Sequence, residues 1–425
     1  MKILVVGSGA REHALCWALS TDPAVERIVC APGNAGLAAA FSTVPVDVAD
    51  PAALIALAEQ HEVDLTVVGP EIPLGRGAVD AFEASGRPIF GPRQLAARLE
   101  TSKAFAKAFM ARHHVPTARY RVCSDASDAV GIIRRGELGD RVVVKADGLA
   151  AGKGVVVADS REDAERAVTA AIVDRVFGEA GAAVVLEERL DGPEVSFFVI
   201  ADGEHAVPLV AAQDHKRIFD GDRGPNTGGM GAFAPSPLVD AALADTILRD
   251  IVRPVLRGLV AEGTPYRGVL YCGLMLTADG PKVIEFNVRF GDPEAQVVLP
   301  MIAEPLSALL WAAATGELRS RTVRVRPEAH VGIVLAAHGY PGEVRVGDRI
   351  EGLDRLSAEC PDALVFFAGV REKDDVLVTS GGRVMTVVGK GPTFDAAIAK
   401  AYDAASRVSF EGMQYRRDIG RKALV

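Results

Sequence analysis

Over its first hundred residues the chain alternates short apolar runs with longer amphipathic stretches. The runs "KILVVG", "RIVCA", "DLTVVG" and "PIFG" have the length and β-branched content of buried strands. Between them, segments such as "PAALIALAEQHE" keep helical spacing, here with Asp50 as N-cap and Pro51 at the first helical position. The alternation predicts a parallel α/β unit over about residues 1–100, with ligands beyond the carboxyl ends of its strands. The loops at those ends are "GSGAREH" (7–13), "APGNAG" (31–36) and "GPEIPLGRG" (69–77). One long helix, packed between domains, is expected from "RQLAARLETSKAFAKAFMARHH" (93–114). Its Lys103 and Lys107 share a face, as solvated charges or as ligand contacts.

Farther along, the pattern turns to hairpins. In "VVVKADGLAAGKGVVVA" two valine-rich strands flank a glycine loop that carries a lysine on either side, Lys145 and Lys153. Glycines let backbone N–H groups converge on an anion, so a phosphate is the expected guest. The Walker loop does not fit: Gly148 and Gly152 are one residue too close, Lys153 is followed by Gly154, and a strand follows instead of a helix. A hairpin closing over nucleotide phosphates remains. Lys145 lies inside an apolar strand, where burial is costly unless an anion meets it.

Three later stretches add polar groups. "AAVVLEERLDGPEVSFFVI" (182–200) ends a strand in Glu187 and Glu188 and places Glu194 near the start of the next; carboxylates there are solvated or accept from neutral donors such as an adenine amino group or ribose hydroxyls. In "VIEFNVRFGDPEAQ" (283–296) strand alternation puts Glu285, Asn287 and Arg289 on one face and Ile284, Phe286 and Val288 on the other. A carboxylate beside an amide oxygen suits Mg²⁺ that keeps waters and bridges phosphates. "QDHKRIFDGDRGPNTGGMGAFAPSP" (213–237) reads as a long ordered loop lining a site. Residues 327–425 show short strands and a closing helix without a catalytic constellation, and His338 and Lys390 there read as structural or surface residues.

Composition narrows the class. A chain of 425 residues, 49% hydrophobic and 24% charged, divides into about three domains of ordinary globular character. Its 47 basic and 56 acidic residues leave a net charge of −9, which argues against a nucleic-acid surface. Five scattered cysteines without a C-x-x-C pair suggest neither zinc nor disulfides and fit a reducing cytoplasm, and no apolar run approaches a signal core or membrane span. The 7–13 loop lacks the dinucleotide fingerprint, since Glu12 stands where the third glycine belongs and the second strand ends without an acid. What remains is a helix N-terminus behind Gly7 and Gly9, either a small phosphate site or a tight turn.

Taken in order, "GSGAREHAL", "SKAFAKAFM", "VVVKADGLAAGKGVVVA", "QDHKRIFDGDRGPNTGGMGA" and "IEFNVRFGDPEAQ" resemble the glycinamide ribonucleotide synthetase family of ATP-grasp enzymes, across essentially the whole chain. Ala10 and "DGPEVS" depart from the usual family pattern. The resemblance implies an N-terminal α/β substrate-binding domain (1–102), an ATP-grasp body (103–326) with a small α+β lid (about 121–189), and a mixed, β-rich C-terminal domain (327–425). It implies ATP-dependent joining of glycine to 5-phosphoribosylamine through glycyl phosphate, in a cytoplasmic enzyme acting as a monomer or weak dimer without nucleic-acid or membrane partners. For ATP it implies Lys107, Lys145, Gly152, Lys153 and Gly154 at the phosphates, Glu187, Glu188 and Leu190 at the adenine edge, partly through backbone, and Glu194 at the ribose. Glu285 and Asn287 would hold Mg²⁺ or Mn²⁺, without the further acid of many relatives, whose position is Gly273. Asp214 and Arg289 are expected at glycine, with Arg289, Asp214 and Lys145 as the catalytic set. Gly9, Arg11, Glu12, Asn34, Lys216 and Arg217 are expected around the ribose phosphate. A biotin carboxylase relative, a non-catalytic nucleotide-binding regulator and an oxidoreductase are the rival readings.

Overall fold

The computed structural model describes residues 1–150, 154–319 and 322–424. The first unit is a five-stranded parallel sheet in the spatial order Ser42–Thr43, Arg27–Pro32, Lys2–Gly7, Leu65–Val68, Ile89–Phe90. Ile3 to Val6 are all fully buried, because helices cover both faces of a parallel sheet. Asp50 caps the helix Pro51–Gln60 as expected, accepting from the N–H groups of Ala52 and Ala53.

A four-stranded antiparallel sheet forms the centre of the molecule, in the order Ala206–Pro208, Glu194–Asp202, Arg267–Thr277, Gly280–Asn287. It is welded to the first unit through two shared cores. Ile3 and Val5 pack in one core with Phe198 and Ile200, while Leu4 and Val6 pack in the other with Phe197 and Val199. A smaller antiparallel sheet, in the order Tyr120–Cys123, Val184–Glu188, Val142–Ala146, Val155–Val157, forms with helices Ala126–Arg134 and Arg161–Val168 the small unit expected as the lid. Val142, Val144, Val184 and Leu186 pack with these helices in a core of their own. Alternation turns Lys145 and Glu187 to the opposite, cleft side.

Three expectations change. The single helix over 93–114 is two, Gln94–Thr101 and Lys103–Arg112, broken at Ser102, whose hydroxyl accepts from Phe105 N–H. Asp147 explains the break: its carboxylate accepts from Ala104 N–H at 2.7 Å and from the Ser102 hydroxyl at 3.1 Å, tying the lid hairpin to the second helix. The 213–237 segment is largely strand: Arg217–Phe219 and Arg223–Asn226 form a separate hairpin, while Gln213–Asp214 and Gly231–Ala234 enter the C-terminal sheet beside Ala329–Ala336, Arg383–Gly391 and Leu364–Phe367. Alternation along 283–289 also slips. Gly273 pairs with Glu285 but Leu274 pairs with Val283, so Ile284 sits in a bulge and Val283 takes its place in the core.

Candidate active site

A cleft of about 890 Å³ opens between the lid, the strand Gly280–Asn287, the first unit and the C-terminal sheet. Its lid wall carries Lys145 and Glu187, and the helix Lys103–Arg112 adds Lys107. All three are nearly solvent-free, with exposures of 3%, 3% and 2% in that order. Glu187 bridges both lysines, Oε1 lying 2.9 Å from Lys145 Nζ and Oε2 2.9 Å from Lys107 Nζ. The anion that burial of Lys145 demanded is therefore, in the free protein, a carboxylate of the lid itself. Lys145 also donates to Ile284 O at 2.8 Å, a carbonyl presented by the bulge. Burial pushes Lys107 down to about 8, against the pull of Glu187.

Both acids expected at the adenine edge have protein partners in this structure. Glu187 is spent on the lysines, and Glu188 accepts from Arg119 N–H at 2.9 Å and Arg119 Nε at 2.6 Å. Gly148 serves packing as well: its N–H donates to Ala180 O, and a Cβ there would lie 2.8 Å from Ala180 Cβ. Gly154 and Leu190 line the cleft, while Gly152 and Lys153 lie outside the described residues.

The opposite wall holds Glu285 and Asn287, both lining the cleft. Burial pushes Glu285 up, but Lys216, Lys145 and Lys103 together hold it below the usual carboxylate range. Gly273 is the cross-strand partner of Glu285, and a Cβ at that position would stand 3.1 Å from Glu285 Cγ. A side chain at this position would crowd the carboxylate. Among the described residues no group of three or more His, Cys, Asp or Glu side chains is placed to hold a metal. One carboxylate and one amide oxygen thus fit a divalent ion that takes its remaining ligands from water and phosphate. Lys216 neutralises this wall, 2.9 Å from Glu194 and 3.5 Å from Glu285.

Deeper in the cleft stand Asp214 and Arg289. Burial raises Asp214 to about 7, with Lys216 opposing and Glu294 and Glu194 reinforcing. Arg289 pairs with Glu100 at 2.7 Å and donates to Asn287 Oδ1 at 3.2 Å. Its Nε is buried without a hydrogen-bond partner, Glu71 lying 3.4 Å away. Sequence reasoning missed the floor around them. Glu294 Oε1 accepts from Tyr271 OH at 2.8 Å and Ser196 Oγ at 3.1 Å, and Asp292 pairs with Arg383 at 3.1 Å. The turn "FGDPE" signalled the two acids, but nothing in "GGRVMTVV" marks Arg383 as a cleft residue.

The first loop is filled from within. Glu12 accepts from Gly9 N–H at 2.6 Å and from Arg11 Nε at 2.6 Å, so its own carboxylate occupies the helix N-terminus. A Cβ on Gly7 would lie 2.5 Å from Glu12 Cγ, and one on Gly69 2.1 Å from Glu12 Oε1. These glycines make room for Glu12, so the loop is the tight-turn alternative of the two that the sequence left open. Arg11 reaches the cleft, donating to Phe290 O, and Arg217 lines it from the hairpin. Gly9, Glu12 and Asn34 are not among the cleft-lining residues. Asn34 caps its helix at Leu37 N–H and donates to Ser8 O and Phe367 O, between the first unit and the C-terminal sheet.

A lysine on a small antiparallel sheet and a second on the adjoining helix, facing a Glu-x-Asn strand across a cleft, define an ATP-grasp enzyme. Solved structures agree on the fold: a biotin carboxylase from Campylobacter jejuni matches with a TM-score of 0.73 at 16% identity, over 99% of this chain and 93% of that one. Models of the N, ATP-grasp (A) and C domains of phosphoribosylglycinamide synthetase match residues 1–100, 101–295 and 330–422. A phosphoribosylamine–glycine ligase of Vibrio vulnificus is 48% identical over 427 aligned positions, covering 100% of this chain and 99% of the relative. The crystal structure of phosphoribosylamine–glycine ligase from Thermotoga maritima superposes with a TM-score of 0.86 at 35% identity, over 98% of this chain and 100% of that one. The chain belongs to the phosphoribosylglycinamide synthetase family, as an ATP-dependent ligase of purine biosynthesis.

Proposed function

We propose that the cleft joins glycine to 5-phosphoribosylamine at the expense of ATP, with glycyl phosphate as intermediate. The observation that carries this reading is the buried Lys107–Glu187–Lys145 triad, formed between the lid sheet and the helix Lys103–Arg112, opposite Glu285 and Asn287. Lys107 and Lys145 take the phosphates, and the adenine edge falls to the hinge backbone at 188–190, since both neighbouring carboxylates are committed. Glu194 stands at the ribose. Glu285 and Asn287 would hold Mg²⁺ or Mn²⁺, which supplies charge neutralisation at the phosphates when bound.

Glycine is held between Asp214 at its ammonium and Arg289 at its carboxylate, where Nε, 3.4 Å from Glu71 and without a hydrogen bond, gives a second donor beside the guanidinium edge already tied to Glu100. The glycine carboxylate oxygen attacks the γ-phosphorus as the bond to the ADP oxygen breaks. The amine of phosphoribosylamine then attacks the acyl carbon, phosphate leaves with its bonding pair, and the nitrogen gives up one proton to the released phosphate or solvent. No protein nucleophile takes part; the residues supply placement and counter-charge. Lid and C-terminal sheet keep water from the acyl phosphate. Arg11, Lys216 and Arg217 are the cleft cations available to the ribose phosphate. We place the enzyme in the cytoplasm, as a monomer or weak dimer. Its five cysteines are free, and among the described residues no helix is long and apolar enough to cross a membrane.

Release of ADP with glycine and phosphoribosylamine, set against bicarbonate and biotin, tests the substrates. Hydroxylamine added with ATP and glycine alone should yield glycine hydroxamate; its absence, with turnover intact, rules out the acyl phosphate.

A further inference from the structure

The hairpin Arg217–Phe219/Arg223–Asn226 projects into the cleft rim as a two-stranded sheet that joins no larger one. Such a hairpin is marginal by itself in water. Its turn is left-handed at two successive residues, Gly221 at φ 69°, which glycine adopts freely, and Asp222 at φ 53°, which costs a residue with a side chain. Apolar anchoring is slight, with Ile218 in a small cluster alongside Met230, Ala336 and Tyr340. Something else must fix it.

Arg416, near the chain's C-terminal end, has a fully buried side chain. Its guanidinium forks onto Asp418 with two hydrogen bonds of 2.8 and 2.7 Å. The remaining nitrogen donates to Arg217 O at 3.0 Å and to Asp222 Oδ1 at 2.8 Å, so one group holds both the first strand and the turn. The segment around it adds three ties: Gly221 N–H donates to Asp418 Oδ2, Arg417 N–H donates to Asp220 Oδ1, and Lys422 Nζ lies 2.6 Å from Asp222 Oδ2. Lys cannot replace such a fork, because a point charge cannot serve three acceptors in one plane.

We infer that Arg416 is a positioning residue for this hairpin: the C-terminal segment 416–422 fixes the cleft-lining Arg217, Asp222 and Asn226 without Arg416 touching substrate. Arg217 and Lys422 are cations of the same rim, and since the ATP phosphates are assigned to Lys107 and Lys145, the substrate governed by the clamp is 5-phosphoribosylamine. That part rests on the function proposed above.

Two readouts test it. In ligand-free protein, Arg416→Ala should speed amide exchange of residues 217–226 at least tenfold while residues 142–146 of the lid stay unchanged. In steady-state kinetics the KM for phosphoribosylamine should rise at least tenfold, with the KM for ATP within twofold of the parent. Arg416→Lys should restore less than half of either effect, and Asp418→Asn, which removes one arm only, should give a smaller shift of the same pattern if Arg416→Ala does not fold. Uniformly faster exchange, or KM values that rise together, would show a merely structural arginine and overturn the inference. If the parent protein does not use phosphoribosylamine, the proposed function fails, yet the exchange pattern still decides the clamp.

Discussion

Replacing Glu187 by Gln removes one charge without changing the volume of the lid wall. Each lysine contact at 2.9 Å is worth about 6 kcal/mol of gross attraction at an effective dielectric near 20, most of it offset by desolvation. Removing the shared partner leaves two buried ammonium groups facing one carboxamide oxygen, for which about 3–5 kcal/mol is the ordinary cost. Lys107 has an escape: it stands at about 8 with Glu187 pulling it up, and loss of that partner lowers it further, so shedding its proton at pH 7 costs at most about 1.4 kcal/mol and the low end, about 3 kcal/mol, is expected. For a cooperative unit the size of the 101–295 region this lowers Tm by about 6–12 °C. A bound triphosphate brings its own negative charge to the same lysines, so the loss should shrink by at least half in the presence of a non-hydrolysable ATP analogue and Mg²⁺. Thermal unfolding of both proteins, free and loaded, measures the difference. A fall below about 2 °C, or an equal fall in the two states, refutes Glu187 as the counter-ion that ATP relieves.

Three further outcomes follow from the same cleft. Because Lys107 lies near 8 when free and a triphosphate raises it, nucleotide binding at pH 8.5 should take up about three-quarters of a proton, read as the dependence of calorimetric enthalpy on buffer ionisation, and almost none at pH 6.5. Asp214, pushed up to about 7 by burial, is an anion only above that pH; the dissociation constant of glycine with ADP present should be flat above about 7 and rise about tenfold per unit below it, and Asp214→Asn should abolish the slope. Gly273→Ala puts a methyl 3.1 Å from Glu285 Cγ, which should raise the activating Mg²⁺ concentration about tenfold while leaving the KM for glycine alone, as metal titrations at saturating substrate would show.

Much of the frame could be read from the pattern of residues, because local physics sets it. Ile3 to Val6 are buried on both faces and therefore written as an unbroken apolar run, and Asp50–Pro51 caps its helix through its own two neighbours. Lys145 could be singled out because a lysine within an apolar strand requires a partner. The partner could not, since Glu187 meets it only through the lid pairing of Val142–Ala146 with Val184–Glu188. The same holds for the break at Ser102, enforced by Asp147 from another element, and for the Ile284 bulge, whose cause is register against Arg267–Thr277. Glu12 was read as a damaged fingerprint. In space it is the ligand of its own turn, a role set by Gly7 and Gly69, which are 62 positions apart in the chain. Arg383 and Arg416 carry no local signature, because each is defined by what it reaches across the molecule.

The C-terminal sheet also limits how such a chain can be rearranged. Gly231–Ala234, encoded well before the C-terminal third, is wholly buried and pairs along its length with Ile333 to His330. Cutting the polypeptide between residues 295 and 330, where the family models leave a gap, would strand a greasy backbone edge on the larger fragment. The halves should be insoluble apart and recover when coexpressed, so recombination that swaps the tail of one synthetase for another must carry the 231–234 strand with it.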